Sequence, residues 1–171
     1  MPIALIGYRG SGKTTIGKRL ADRLWWPFVD LDEVIVARAG ITIREIFAQR
    51  GEEHFRDLES QCLAESLKPA DQVLALGGGA VLRPANRDRI KAAGCKVVYL
   101  RCDPAVLLRR IESDRTTADM RPSLTALGGG IEEITTLLAQ REPIYRQVMT
   151  AELDVTNLTS DEAVAHIARM V

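Results

Sequence analysis

The chain predicts an α/β fold, a three-layer α/β/α arrangement with five parallel strands between two helical layers. Three observations predict it. Short apolar runs alternate with amphipathic segments, the pattern of βαβ units whose helices cover both faces of a parallel sheet. A glycine-rich turn joins the first apolar run directly to the first helical segment. Finally, 171 residues, 46% hydrophobic and 27% charged, supply a core for one domain over 1–171 and too little chain for two.

Each element follows from its own signal. The run from Ile3 to Ile6 is a strand ended by Gly7, and Ile16, Leu20, Ala21 and Leu24 make one face of a helix over 13–24. A second strand ends at Phe28-Val29-Asp30. Leu31 to Ala37 then reads as a helix closed by Gly40, a suitable C-terminal cap. Thr42 with Glu45 three residues on is a capping box opening a short helix that Gly51 ends. Phe55, Leu58, Cys62 and Leu63 stripe a longer helix over about 52–67. Gln72 to Leu76 is a strand running into Gly77-Gly78-Gly79. Pro84 and the segment 86–93 form a helix stopped by Gly94, and Cys95 to Leu100 is the fourth strand. Asp103-Pro104 pairs a capping acid with proline at the first helical position, opening a helix to about Glu112. The polar, glycine-containing stretch 113–130 is too long for an ordinary connection and reads as a mobile functional lid. A helix over 131–149, a short strand at 153–155 and a helix from Ser160 to about Met170 complete the order. Trp25 and Trp26 are expected to pack the first helix against the sheet. His54 and His166 are expected to be solvent-facing or structural.

Twenty-three Lys and Arg balance 23 Asp and Glu, so the chain lacks the positive field of a sequence-independent nucleic-acid binder. Arg outnumbers Lys 18 to 5, and the guanidinium fork matches carboxylate and phosphate oxygens, which keeps small anions in play. Cys62, Cys95 and Cys102 are odd in number and lack metal-ligand spacing, so they are expected to be core fillers in a reducing compartment. No signal-peptide pattern opens the chain, and no run approaches the roughly 18 apolar residues of a membrane span. The expectation is a cytoplasmic monomer without membrane or nucleic-acid partners.

Gly7-Tyr8-Arg9-Gly10-Ser11-Gly12-Lys13-Thr14 matches G-x-x-x-x-G-K-[ST] in full, between a strand and a helix. Glycines let backbone N–H groups converge on phosphate oxygens, and the helix N-terminus adds partial positive charge. Lys13 would reach the terminal phosphates and Thr14 would offer a hydroxyl to Mg²⁺. The nucleotide set is Gly10, Ser11, Gly12, Lys13, Thr14 and Thr15, the last chiefly a helix residue. Neither DxxG nor N-K-x-D occurs, which speaks against a GTPase switch. A short chain with this motif suits a small-molecule kinase.

Ligands of parallel sheets sit beyond the carboxyl ends of the strands, which singles out Asp30, Asp32 and the three glycines. Asp30 reads as a metal-side acid and Asp32 as the group that meets the acceptor hydroxyl, while either could merely cap the following helix. Gly77 to Gly79 is a tight turn or an anion-approaching backbone. Arg56, three residues before Glu59, reads equally as a surface ion pair, and Arg141 carries a similar alternative. Arg115 and Arg121 lie in the lid.

Together, Gly7 to Thr14, Asp30-Leu31-Asp32, the segment 40–47, Phe55-Arg56 with Glu59, Gly77 to Gly79, Arg121-Pro122 and Arg141 with Tyr145 resemble shikimate kinases over nearly the whole chain. The resemblance implies a P-loop kinase fold with strand order 2-3-1-4-5. It also implies transfer of the ATP γ-phosphoryl group to the 3-hydroxyl of shikimate, in chorismate and aromatic amino-acid biosynthesis. It gives Asp32 and Arg121 catalytic roles, which join Lys13 from the phosphate-loop motif, with Thr14 and Asp30 read as above on the Mg²⁺ side. Asp32, Arg56, Arg141 and Gly77 to Gly79 would hold shikimate, with substrate helices over about 32–67, and Arg115 would lie near the adenine opposite 157–160. The alternatives are a gluconate kinase-like enzyme and a nucleotide-binding module without catalysis.

Overall fold

The computed structural model describes residues 1–114 and 130–171. Strands β1 (Ile3–Ile6), β2 (Phe28–Asp30), β3 (Val73–Ala75), β4 (Lys96–Arg101) and β5 (Ala151–Asp154) form one parallel sheet in the order β2-β3-β1-β4-β5. The helices are α1 (Lys13–Leu24), α2 (Leu31–Ala39), α3 (Ile43–Ser66), α4 (Pro84–Ala92), α5 (Pro104–Ser113), α6 (Ile131–Val148) and α7 (Ser160–Met170). Arg115 and Arg121, with the interval 115–129 of the expected lid, lie outside the described residues.

Strand side chains alternate between faces, so a strand covered on both sides must be apolar throughout. In β1, Ile3 and Leu5 enter one core cluster with Ile16, Leu20, Val98 and Ile167. Ala4 and Ile6 enter the other, with Leu31, Leu63, Leu74 and Tyr145. This explains why β1 reads as a continuous run: each residue is no more than 1% exposed. At Gly17 a Cβ would stand 2.5 Å from Phe28 Cε2, so a side chain there would prise α1 off β2.

Local signals set most boundaries. Thr42 Oγ1 accepts from the Glu45 N–H at 3.2 Å while Glu45 accepts from the Thr42 N–H at 2.7 Å, the expected capping box. Gly51, at φ 79° and ψ 173°, breaks α3 where the sequence ends one helix and begins the next, although the two halves follow one another without a loop. Asp103 caps α5 by accepting from the Ala105 N–H at 2.8 Å. Strand β5 begins before the expected 153–155, because its pairing with β4 runs from Val98 opposite Ala151 to Arg101 opposite Asp154.

Trp25 corrects one expectation. It is 94% exposed and left-handed at φ 57°, ending α1 rather than packing it; Trp26 is the partner that reaches the core. A non-glycine residue in that conformation costs about 1–2 kcal/mol. The three cysteines are buried and unbridged, His54 and His166 are exposed, and no helix among the described residues is long and apolar enough to cross a membrane.

Candidate active site

The carboxyl ends of β1, β2 and β3 open onto one cleft of about 500 Å³, whose lining includes Ser11 to Thr14, Asp30 and Asp32. Gly7 leaves β1 at φ 147°, and a Cβ there would stand 2.7 Å from the Leu100 carbonyl oxygen, so only glycine lets the loop lie this close to β4. The loop then closes on itself. The Ser11 N–H donates to the Tyr8 carbonyl at 3.2 Å, and Lys13 Nζ donates to the carbonyls of Gly7 and Tyr8, both at 2.9 Å. Gly12, left-handed at φ 92°, turns the chain into α1. The result is a helix N-terminus with a lysine arched over its loop, a ready anion site.

Thr14 Oγ1 donates to Asp30 Oδ2 at 2.7 Å, and Asp30 Oδ1 accepts from the Asp32 N–H at 3.0 Å. Asp30 is therefore the cap of α2, as one sequence reading has it, and also the partner of the loop threonine. A hydroxyl and a carboxylate oxygen this close are hard donors of the kind Mg²⁺ accepts while keeping several waters. Thr15 is exposed at the cleft edge on α1.

Gly77 to Gly79, after β3, are where the remaining residues meet. A Cβ on Gly77 would stand 3.0 Å from Asp32 Oδ1 and 3.3 Å from Glu59 Oε1. On Gly78 it would stand 3.3 Å from Arg141 Nη1, and on Gly79 2.5 Å from both Arg56 Nη1 and Nη2. The turn is thus glycine because the side chains of α2, α3 and α6 occupy the space its own would need. Arg56 donates to Glu59 Oε2 at 2.7 Å, the i,i+3 pair expected, but buried rather than on the surface: Arg56 is 8% exposed and Glu59 1%. Arg141, also 8% exposed, lies over the Tyr8 ring at 5.9 Å. Burial pushes the Glu59 carboxyl above its ordinary range, opposed by Arg56 and then Arg141. Arg56 Nε also stands 3.5 Å from Oε1 of the exposed Glu52, and the Arg56 and Arg141 forks both border the glycine turn, an arrangement suited to a small carboxylate.

Two contributors have roles that the sequence does not assign, although Tyr145 is among the residues that carry the family resemblance. The Tyr145 phenol donates to the Gly78 carbonyl at 2.6 Å and burial pushes it up to about 12, so it stays a protonated donor that pins the turn. Arg110, in the last turn of α5, lines the nucleotide cleft, donating to the Val155 carbonyl at 3.2 Å and to Gly10 at 3.5 Å. Its only sequence signal is a cation at a helix C-terminus, which ordinarily serves the helix dipole. The cleft lining also includes Leu158, Thr159 and Ser160, within the segment expected to face the adenine.

The family model for shikimate kinase matches residues 9–171. A shikimate kinase of Rhodopirellula baltica is 43% identical over 165 residues, 96% of this chain and 87% of that protein. Among solved structures, the shikimate kinase from Acinetobacter baumannii in complex with shikimate superposes with a TM-score of 0.91 at 33% identity, over 99% of this chain and 91% of that one. A gluconokinase from Sinorhizobium meliloti, at TM-score 0.64 and 21% identity over 99% of this chain and 92% of its own, shares the fold alone. With the looped lysine, the Thr14–Asp30 pair and the arginine-lined glycine turn already in view, matches of this length establish that the chain belongs to the shikimate kinase family.

Proposed function

We propose that the chain transfers the γ-phosphoryl group of ATP to the 3-hydroxyl of shikimate, giving shikimate 3-phosphate and ADP, as a monomer in the cytoplasm. One observation carries the reading: three consecutive glycines gather Arg56, Arg141, Asp32 and Glu59 beside the phosphate loop. A hydroxylated monocarboxylate needs cationic forks for the acid and a carboxylate for the hydroxyl, and this pocket offers both.

Arg56 and Arg141 bind the shikimate carboxylate, and the Gly77 to Gly79 backbone holds the ring against them. Asp32 accepts a hydrogen bond from the 3-hydroxyl and orients it, or takes its proton as the oxygen attacks. Lys13 and the loop amides, from Gly10 to Thr15, hold the phosphates in line, so the chain contributes chiefly positioning and charge neutralisation. Thr14 and Asp30 would hold Mg²⁺, which neutralises phosphate charge when bound. Arg121 and Arg115 are assigned, from the family resemblance, to the transferring phosphoryl and the adenine respectively.

The test is a comparison of acceptors. Purified protein with Mg-ATP should phosphorylate shikimate and leave gluconate and nucleoside monophosphates untouched. Turnover on gluconate would transfer the reading to a gluconate kinase, and ATP binding without consumption of any acceptor would leave a nucleotide-binding module.

A further inference from the structure

Two buried nitrogens in the nucleotide cleft lack a hydrogen-bond partner: Nε and Nη2 of Arg9. Among the described residues, the other buried side-chain nitrogen or oxygen atom in this condition is Ser11 Oγ, in the same loop. A guanidinium cannot shed its proton at neutral pH, so an unsatisfied one is costly in the free protein. Burial lowers its pKa, and Asp114, Tyr8 and Glu133 act on it through charge rather than as hydrogen-bond partners to these two atoms. By contrast, the buried guanidinium of Arg56 has its fixed carboxylate.

Nε and Nη2 form one side of the guanidinium fork, the side that takes two anionic oxygens or straddles one. Arg9 occupies an unspecified position of G-x-x-x-x-G-K-T, so phosphate-loop geometry does not demand a cation there. It precedes Gly10 and Ser11, and all three line the cleft that also holds Lys13 and Thr14. The acid of the second substrate already has its forks at the glycine turn, which leaves the moving phosphoryl group as the anion for Arg9.

We infer that Arg9 is a catalytic residue whose Nε and Nη2 edge binds non-bridging oxygens of the phosphoryl group as it passes from ADP to the acceptor hydroxyl. This rests on the function proposed above. In the step, the shikimate 3-oxygen forms a bond to the γ-phosphorus while the bond from that phosphorus to the β–γ bridging oxygen breaks. The electron pair leaves with ADP, and the hydroxyl proton passes to Asp32 or to solvent. Arg9 exchanges no proton; it opposes charge on the equatorial oxygens.

The experiment compares wild type with Arg9→Met and Arg9→Lys in steady-state shikimate phosphorylation, in thermal melts, and in calorimetric binding of ADP with aluminium fluoride in the presence of shikimate. Arg9→Met should lower kcat roughly 100-fold, leave both KM values within about threefold, and weaken the aluminium fluoride complex more than the complex with ADP alone. Its Tm should hold or rise, since an unsatisfied buried charge is gone. Arg9→Lys should recover part of kcat. A kcat for Arg9→Met within about threefold of wild type overturns the inference. So does a loss confined to the shikimate KM, which would assign Arg9 to the carboxylate, or a Tm that falls with activity in both variants. Wild-type protein inactive on shikimate would overturn the underlying function as well, so the two failures are distinguishable.

Discussion

The phosphate loop and the arginine pocket share one cleft but are built in opposite ways. Gly7 to Thr14 is a single short segment that Lys13 ties back onto the carbonyls of Gly7 and Tyr8, and it reaches beyond itself at its edges, through Thr14 to Asp30 and through Gly10 to Arg110. The pocket draws Asp32 from α2, Arg56 and Glu59 from α3, and Arg141 and Tyr145 from α6 onto three glycines after β3. A local device tolerates changes elsewhere in the fold. A convergent one depends on every element that delivers a side chain, and here the common reference point is a turn with no side chains of its own.

That contrast predicts where damage goes. Lys13→Ala should have the largest effect, lowering turnover on the order of 1000-fold with shikimate binding and the far-UV circular dichroism spectrum retained. Shikimate affinity measured by calorimetry would break the comparison if it fell equally, because the two halves would then not be separable. Gly79→Ala comes next. Its methyl would meet the Arg56 guanidinium at 2.5 Å, so the fork must move, and the shikimate KM should rise at least about 10-fold with the ATP KM unchanged. Arg56→Lys should raise the shikimate KM by about 10-fold or less, because an ammonium keeps the charge but loses the bidentate geometry. Kinetics at saturating ATP check both, and a rise in the ATP KM instead would count against a separate acid pocket.

The smallest effect concerns pH. Glu59 is 1% exposed and its carboxyl is pushed upward by burial, so the folded state holds the Glu59 proton more tightly than the unfolded chain does. Its contribution to stability is fully present below the ordinary carboxylate range and declines as pH rises through the elevated folded value. Melting curves of wild type and Glu59→Gln should therefore differ in slope, wild type losing Tm relative to the variant on going from acid toward neutral pH. A parallel pair of curves would mean that Arg56 offsets the burial completely.

Much of this was legible in one dimension. The alternation of apolar runs with capped helices determined the α/β class, because backbone hydrogen bonding and side-chain period are local properties. The full glycine-lysine motif determined the phosphate loop for the same reason: every group it needs lies within eight residues. Asp30 and Asp32 were legible as strand-end acids, while the double duty of Asp30, capping α2 and accepting from Thr14, required the two segments to be seen side by side. Only the tertiary structure turned the Arg56–Glu59 pair from a surface expectation into a buried one, made Trp25 an exposed helix terminator, and brought Arg110 to the nucleotide wall. Burial and convergence are sums over distant neighbours, and helix spacing says which residues share a face without saying what that face meets.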